Sequence, residues 1–330
     1  MISLENLSIG YQREKPLLSQ VNLKAGKGEM VALVGRNGSG KSTLLRSLLG
    51  LLPLLEGRCY LSGVSLDELE HKNRALSVSY VSSQVAGLPS LSVRELVSLG
   101  RMPHTGWLGK LGKADWDMVD RIIHDVGMDM YMERSLDQLS DGERQRVMIA
   151  RALVQDTPNV ILDEPAAYLD IPNKYELVRL LSLFRDRGKT IIYSTHDLET
   201  ALMCADKFWV ITDGMIHEGS PEDLGLAGLF NRLFDHSGIR FDLNSGKFSY
   251  TAASRGCVAL SGPQGEALAW TRHLLQRISY TIAGGDQAIS IEVQPGEKHG
   301  WKVMKDETIM NFDSLYNLAR FLSKDKQDMF

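Results

Sequence analysis

The eight residues Gly35-Arg36-Asn37-Gly38-Ser39-Gly40-Lys41-Ser42 constrain this chain more than any other stretch. They fit G-x-x-x-x-G-K-[ST], with an apolar, β-branched run at 29–34 before them and helical periodicity at 43–49 after them. A glycine-rich turn between strand and helix lets backbone N–H groups converge on phosphate oxygens, and the helix offers its positive N-terminal end. Lys41 is then placed to reach the β- and γ-phosphates, and the Ser42 hydroxyl to ligate magnesium. The candidate phosphate-binding set is Gly35, Asn37, Gly38, Ser39, Gly40, Lys41, Ser42 and Thr43.

Two further apolar runs end in polar residues. Residues 160–162 lead into Asp163-Glu164, and 190–194 lead to His196. Strands alternating with helices imply a parallel sheet covered on both faces, which binds ligands beyond the carboxyl ends of its strands. There one carboxylate can hold magnesium and the next can polarise an attacking water. A strand ending in two acids is common in solvated turns, and the phosphate loop is what gives this pair its meaning. His196 is a candidate donor to the γ-phosphate, with a structural histidine as the alternative. Between about 86 and 156 the strand pattern lapses, and helix-like segments at 93–99 and 115–126 predict a helical insertion.

The chain's 330 residues suffice for about two domains. A formal net charge of −4, from 37 basic and 41 acidic residues, argues against a nucleic-acid or anionic-membrane binder. The last ninety residues carry ten charges of each sign, so the negative excess lies in the first part. Cys59, Cys204 and Cys257 match neither a metal knuckle nor a redox pair and read as free thiols. The N-terminus alternates like a strand and lacks signal-peptide character. The most apolar stretch, 44–55, is interrupted by Arg46, Gly50 and Pro53 and falls short of the ~20 residues that span a bilayer. The expectation is a cytoplasmic chain whose membrane role comes through a partner.

The segment Leu139-Ser140-Asp141-Gly142-Glu143-Arg144-Gln145-Arg146 completes a set that resembles the nucleotide-binding subunit of an ABC transporter over roughly residues 1–220. The resemblance implies an α/β P-loop NTPase core of the ABC ATPase type, with residues 1–222 as the nucleotide domain, 223–245 as a linker and 246–330 as a small accessory α+β domain. It implies a homodimer around two ATP molecules with Mg2+, hydrolysing ATP on the inner face of the cell membrane and bound to permease subunits, with a substrate-binding protein as indirect partner and no nucleic acid. It assigns Ser140, Gly142 and Asp170 to the nucleotide of the opposing subunit and Gln84 to the magnesium and attacking water. It also assigns Tyr11 to adenine, Asp163 to magnesium, and Glu164 and His196 to catalysis. The signature segment departs from the usual Leu-Ser-Gly-Gly-Gln at Asp141 and Glu143, and a carboxylate so near a phosphate repels unless its side chain points away.

Residues 99–106 (LGRMPHTG) resemble a segment of ATPases that serve iron-siderophore, haem and cobalamin importers; a proline-terminated helix with a basic last turn is the alternative. The surface around Gln84 and Arg101 is expected to dock a helix of the permease. An exporter ATPase and a soluble ABC protein are the rival readings. After Gly214 the chain looks loop-like. The final unit predicts strands near 257–260, 279–282, 288–293 and 300–304, and helices near 266–277 and 312–322. Its Trp270 and Trp301 are expected in the core, and His273 and His299 on the surface. A sensor, a dimerisation element and an inert extension remain open as its role.

Overall fold

The computed structural model describes residues 1–82, 91–106, 109–167, 169–235, 238–243, 246–250, 254–285, 287–296, 299–306 and 308–324. The chain divides into two compact units, Met1–Leu233 and Phe234–Phe330.

The first unit begins with β1 (Ile2–Ile9), β2 (Leu18–Ala25), β3 (Met30–Gly35), α1 (Lys41–Leu48), β4 (Glu56–Leu61) and β5 (Val64–Ser65). Next come α2 (His71–Ser77), β6 (Val78–Val81), α3 (Val93–Ser98), α4 (Lys113–Asp125) and α5 (Asp141–Leu153). It closes with β7 (Asn159–Leu162), α6 (Ile171–Asp186), β8 (Thr190–Ser194), α7 (Leu198–Cys204), β9 (Lys207–Thr212), β10 (Met215–Gly219), α8 (Pro221–Leu226) and α9 (Leu229–Leu233).

A six-stranded sheet, β10-β9-β3-β8-β7-β6, is parallel except at its β10 edge. Its central strands are mostly apolar because both faces are covered: Met30 to Val34, Val160 to Leu162 and Thr190 to Ser194 are all buried. Antiparallel strands β2-β1-β4-β5 form a second sheet. Leu4, Leu7 and Leu23 of that sheet share a core with Leu33, Leu44, Ile161, Ile192 and Trp209. The helical insertion is built on α3, which packs against α4 and α5, burying Val93, Leu96 and Val97 with Val119, Ile123 and Val147.

The stretch after Gly214 is not loop-like. β10 pairs with β9 through the turn at Asp213-Gly214, and Ser220 caps α8 by accepting from the Asp223 N–H at 3.1 Å, with Pro221 in the first helical position. Gly-Ser-Pro here is a helix start, because proline's missing N–H costs nothing in the first turn. Within 223–245, expected as a linker, lie most of α8, all of α9 and a first strand of the second unit.

That unit opens with a hairpin, β11 (Ile239–Asp242) and β12 (Lys247–Tyr250). It continues through β13 (Gly256–Ser261), α10 (Glu266–Arg277), β14 (Tyr280–Ile282), β15 (Ile289–Gln294), β16 (Gly300–Lys305), β17 (Thr308–Phe312) and α11 (Leu315–Lys324). The sheet order is β14-β13-β15-β16-β17, with β13 parallel to both neighbours and the remaining pairs antiparallel. Its core joins Val258, Ile291 and Val303 to Leu268 and Leu275 of α10 and Leu318 and Leu322 of α11. Trp301 is buried and donates from Nε1 to Thr271 Oγ1 at 2.7 Å. Trp270 departs from expectation: it is 60 % exposed, with its ring edge-on to His273. The buried stripe of α10 runs through Leu268, Thr271, Leu274 and Leu275, and at about 100° per residue position 270 falls on the outer side.

Candidate functional site

Three adjacent parallel strands, β3, β8 and β7, deliver their carboxyl ends to one place. β3 ends at Gly35, where an added Cβ would stand 2.6 Å from Ser39 Oγ and 3.1 Å from Ile211 O, so the loop can close only on a glycine. Gly38 (φ 77°) and Gly40 (φ 104°) take the left-handed region, turning the loop back onto the start of α1. The Lys41 ammonium folds over the loop and donates to Gly35 O at 2.9 Å and Arg36 O at 3.3 Å. Lys41 is buried, and that burial holds its pKa below the usual lysine value against the opposing pull of Glu164 and Asp163. Ser39 Oγ is buried without a hydrogen-bond partner. A cation stripped of water and an orphaned hydroxyl in one glycine cradle fit an anion with several oxygens. Tyr11 lies 69 % exposed beside the cradle, its hydroxyl 3.4 Å from Thr43 Oγ1.

From β7 come Asp163 and Glu164, and from β8 comes Ser194, which sequence reasoning read only as the end of a strand. The Ser194 hydroxyl donates to Asp163 Oδ1 at 2.6 Å and accepts from the Glu164 N–H at 2.8 Å. It thereby fixes Asp163, itself 2 % exposed, and the Glu164 backbone, which is bent to φ 51°. Its role follows from burial: a fully buried serine closing a strand needs polar partners, and here they come from the end of the neighbouring β7. Glu164 Oε1 stands 2.6 Å from His196 Nε2. Asp163 and the Ser42 hydroxyl at the head of α1 offer the hard oxygen donors that suit magnesium, which takes one or two protein ligands and otherwise water and phosphate.

Ser140, Gly142 and Asp170 lie on other elements. Ser140 caps α5, and Asp170 caps α6 by accepting from the Asn173 N–H at 3.1 Å. A Cβ at Gly142 would stand 3.3 Å from Asn173 Nδ2, so the signature helix and the start of α6 are neighbours within one chain. Asp141 points into solvent and pairs with Arg144 at 3.3 Å. Gln84 lies outside the described residues. Arg101 is not an exposed docking group: it is 12 % exposed, paired with Asp115 at 2.9 Å and donating to Val154 O at 3.0 Å. His104 likewise meets Gln155 O at 2.7 Å. Both tie the insertion to the end of α5, and the large apolar side chains exposed on this turn are Leu99 and Met102.

Residues 18–167 match the ABC transporter family, and residues 255–323 match the iron ABC transporter C-terminal domain. A petrobactin import ATP-binding protein of Bacillus anthracis is 35 % identical over 74 % of this chain and 90 % of its own length. An iron(3+)-hydroxamate import ATP-binding protein of Bacillus subtilis is 33 % identical over 71 % of this chain and 87 % of its own. Among solved structures, a dimeric ATP-binding cassette in a post-hydrolysis state with ADP and Pi superposes with a TM-score of 0.59 at 27 % identity, covering 67 % of this chain and 98 % of that one. With the phosphate cradle and the acidic strand end already in place, these likenesses settle the family: the chain belongs to the ATP-binding subunits of ABC transporters and is an ATPase.

Proposed function

We propose that two copies of this chain close around two ATP molecules with Mg2+, and that hydrolysis there drives a membrane permease importing an iron chelate, haem or cobalamin. One observation carries the nucleotide reading: Lys41, Asp163, Glu164 and His196 converge at the carboxyl ends of adjacent strands. The loop N–H groups and Lys41 hold the phosphates, and Tyr11 lies against adenine. Ser42, Asp163 and Gln84 would hold magnesium, which when bound neutralises phosphate charge. Glu164 orients the attacking water and accepts its proton as the γ-phosphoryl group leaves ADP. His196, which pairs with Glu164 in the free chain, donates to the γ-phosphate when nucleotide is present. Ser140, Gly142 and Asp170 serve the nucleotide of the opposing copy, where the α5 N-terminus meets an anion.

The cargo reading is supported by the petrobactin and hydroxamate relatives and by the iron-type match at 255–323. Residues from about 246 onward form the accessory domain in this reading. The exposed apolar pair Leu99 and Met102, with the neighbourhood of Gln84, is the proposed seat for a short permease helix. No helix among the described residues is long and apolar enough to cross a membrane. The test is co-purification of the tagged chain, followed by ATPase assays of the complex in vesicles against iron chelates, haem and corrinoids. An accompanying permease and turnover stimulated by a chelate on the binding-protein side are expected. Capture of no membrane protein, or stimulation only from the ATP side, would overturn import.

A further inference from the structure

Glu143, where the family's signature usually has glutamine, does more than cap a helix. Its Oε2 accepts from the Ser140 N–H and from the Ser140 hydroxyl, both at 2.8 Å, while its own N–H donates to Ser140 Oγ at 3.3 Å. Ser140 therefore has its one proton committed to a charged acceptor within its own chain, and its oxygen occupied by a backbone N–H. A hydroxyl has a single proton, and a hydrogen bond to a carboxylate is stronger than one to a neutral oxygen. Asp141, the other unusual residue of the segment, turns away to Arg144 and competes for nothing here.

We infer that Glu143 is a positioning residue that acts as an internal competitor: it holds the Ser140 hydroxyl proton in the free chain, so that engaging the γ-phosphate of the opposing copy requires the proton to turn from carboxylate to phosphate. This inference rests on the proposed two-nucleotide dimer. The consequence is a raised ATP requirement for closure, set within the signature segment itself. Glutamine at 143 would keep a neutral acceptor for the Ser140 N–H, preserving the cap while loosening the hold on the hydroxyl.

The test uses the full chain carrying Glu164→Gln to suppress hydrolysis, with the ATP concentration at half-maximal dimerisation as readout. Salt of about 0.5 M shortens screening to a few ångströms, so the comparison reads the local hydrogen bond. Adding Glu143→Gln should lower the half-point by about threefold to tenfold, the scale of one charge-assisted bond exchanged for a neutral one. In a Ser140→Ala background the same change should shift nothing, since there is no proton to release. An unchanged half-point with Ser140 present overturns the inference while leaving the dimer intact. So does a shift that persists without the Ser140 hydroxyl. If the Glu164→Gln chain forms no ATP-dependent dimer at all, the underlying reading falls and takes this one with it.

Discussion

Ser194 shows how a single hydroxyl can hold the carboxylate of Asp163 and the backbone of Glu164 together. Replacing it with alanine leaves Asp163 Oδ1 and the Glu164 N–H without their partner in a buried place. Ser194→Ala should slow phosphate release by about 10–100-fold while nucleotide still binds, the scale of losing a group that orients a ligand. Steady-state phosphate release beside fluorescent-nucleotide titration checks this, and an unchanged rate would remove Ser194 from the site. The three thiols give a second prediction at this scale. Burial, with Asp67 adding to it, pushes Cys59 up to about 12, and burial also raises Cys204, whereas Cys257 is exposed. A raised pKa means less thiolate at a given pH, so at about pH 8 a maleimide should label Cys257 first and Cys59 only on unfolding. Mass spectrometry of the labelled protein reads the order.

At the scale of elements, the Leu99–His104 turn anchors the helical insertion. Gly100 sits so close to α5 that an added Cβ would lie 2.1 Å from Arg151 O and 2.5 Å from Val154 Cγ1. Gly100→Ala should therefore cost about 1–3 kcal/mol by overpacking, seen as a lowered urea midpoint. An unshifted midpoint would mean that the turn yields freely. The same scale shows what was legible in the sequence. Buried parallel strands such as β7 and β8, and long amphipathic helices such as α10, stand out because apolar runs and 3.6-residue periodicity are local signals. α8 was hidden by Gly-Ser-Pro, which serves equally as a turn and as a helix start. β17 was hidden because Thr308 to Phe312 alternates weakly beside the helix that follows. The phosphate loop, Asp163, Glu164 and His196 were all nameable from spacing. Ser194, and the hold of Arg101 on Asp115 and Val154, depend on pairings between segments distant in sequence, which no local pattern reports.

At the scale of the whole molecule, each of the two units has its own core, one around β3 and α1 and one around β15 and α10. Thermal unfolding should show two transitions, and ATP with magnesium should raise only the one belonging to residues 1–233, since a ligand stabilises the unit that binds it. A single transition moving as a whole would contradict that independence. The central claim concerns two such molecules, each completing the other's site, with Glu164 as the group that activates water. The most direct measurement is the mass in solution of the Glu164→Gln chain with and without ATP, beside its turnover. A dimer that appears only with ATP, with hydrolysis slowed by orders of magnitude, is the predicted result. A chain that stays monomeric with saturating ATP and turns it over at the unmodified rate would contradict the account.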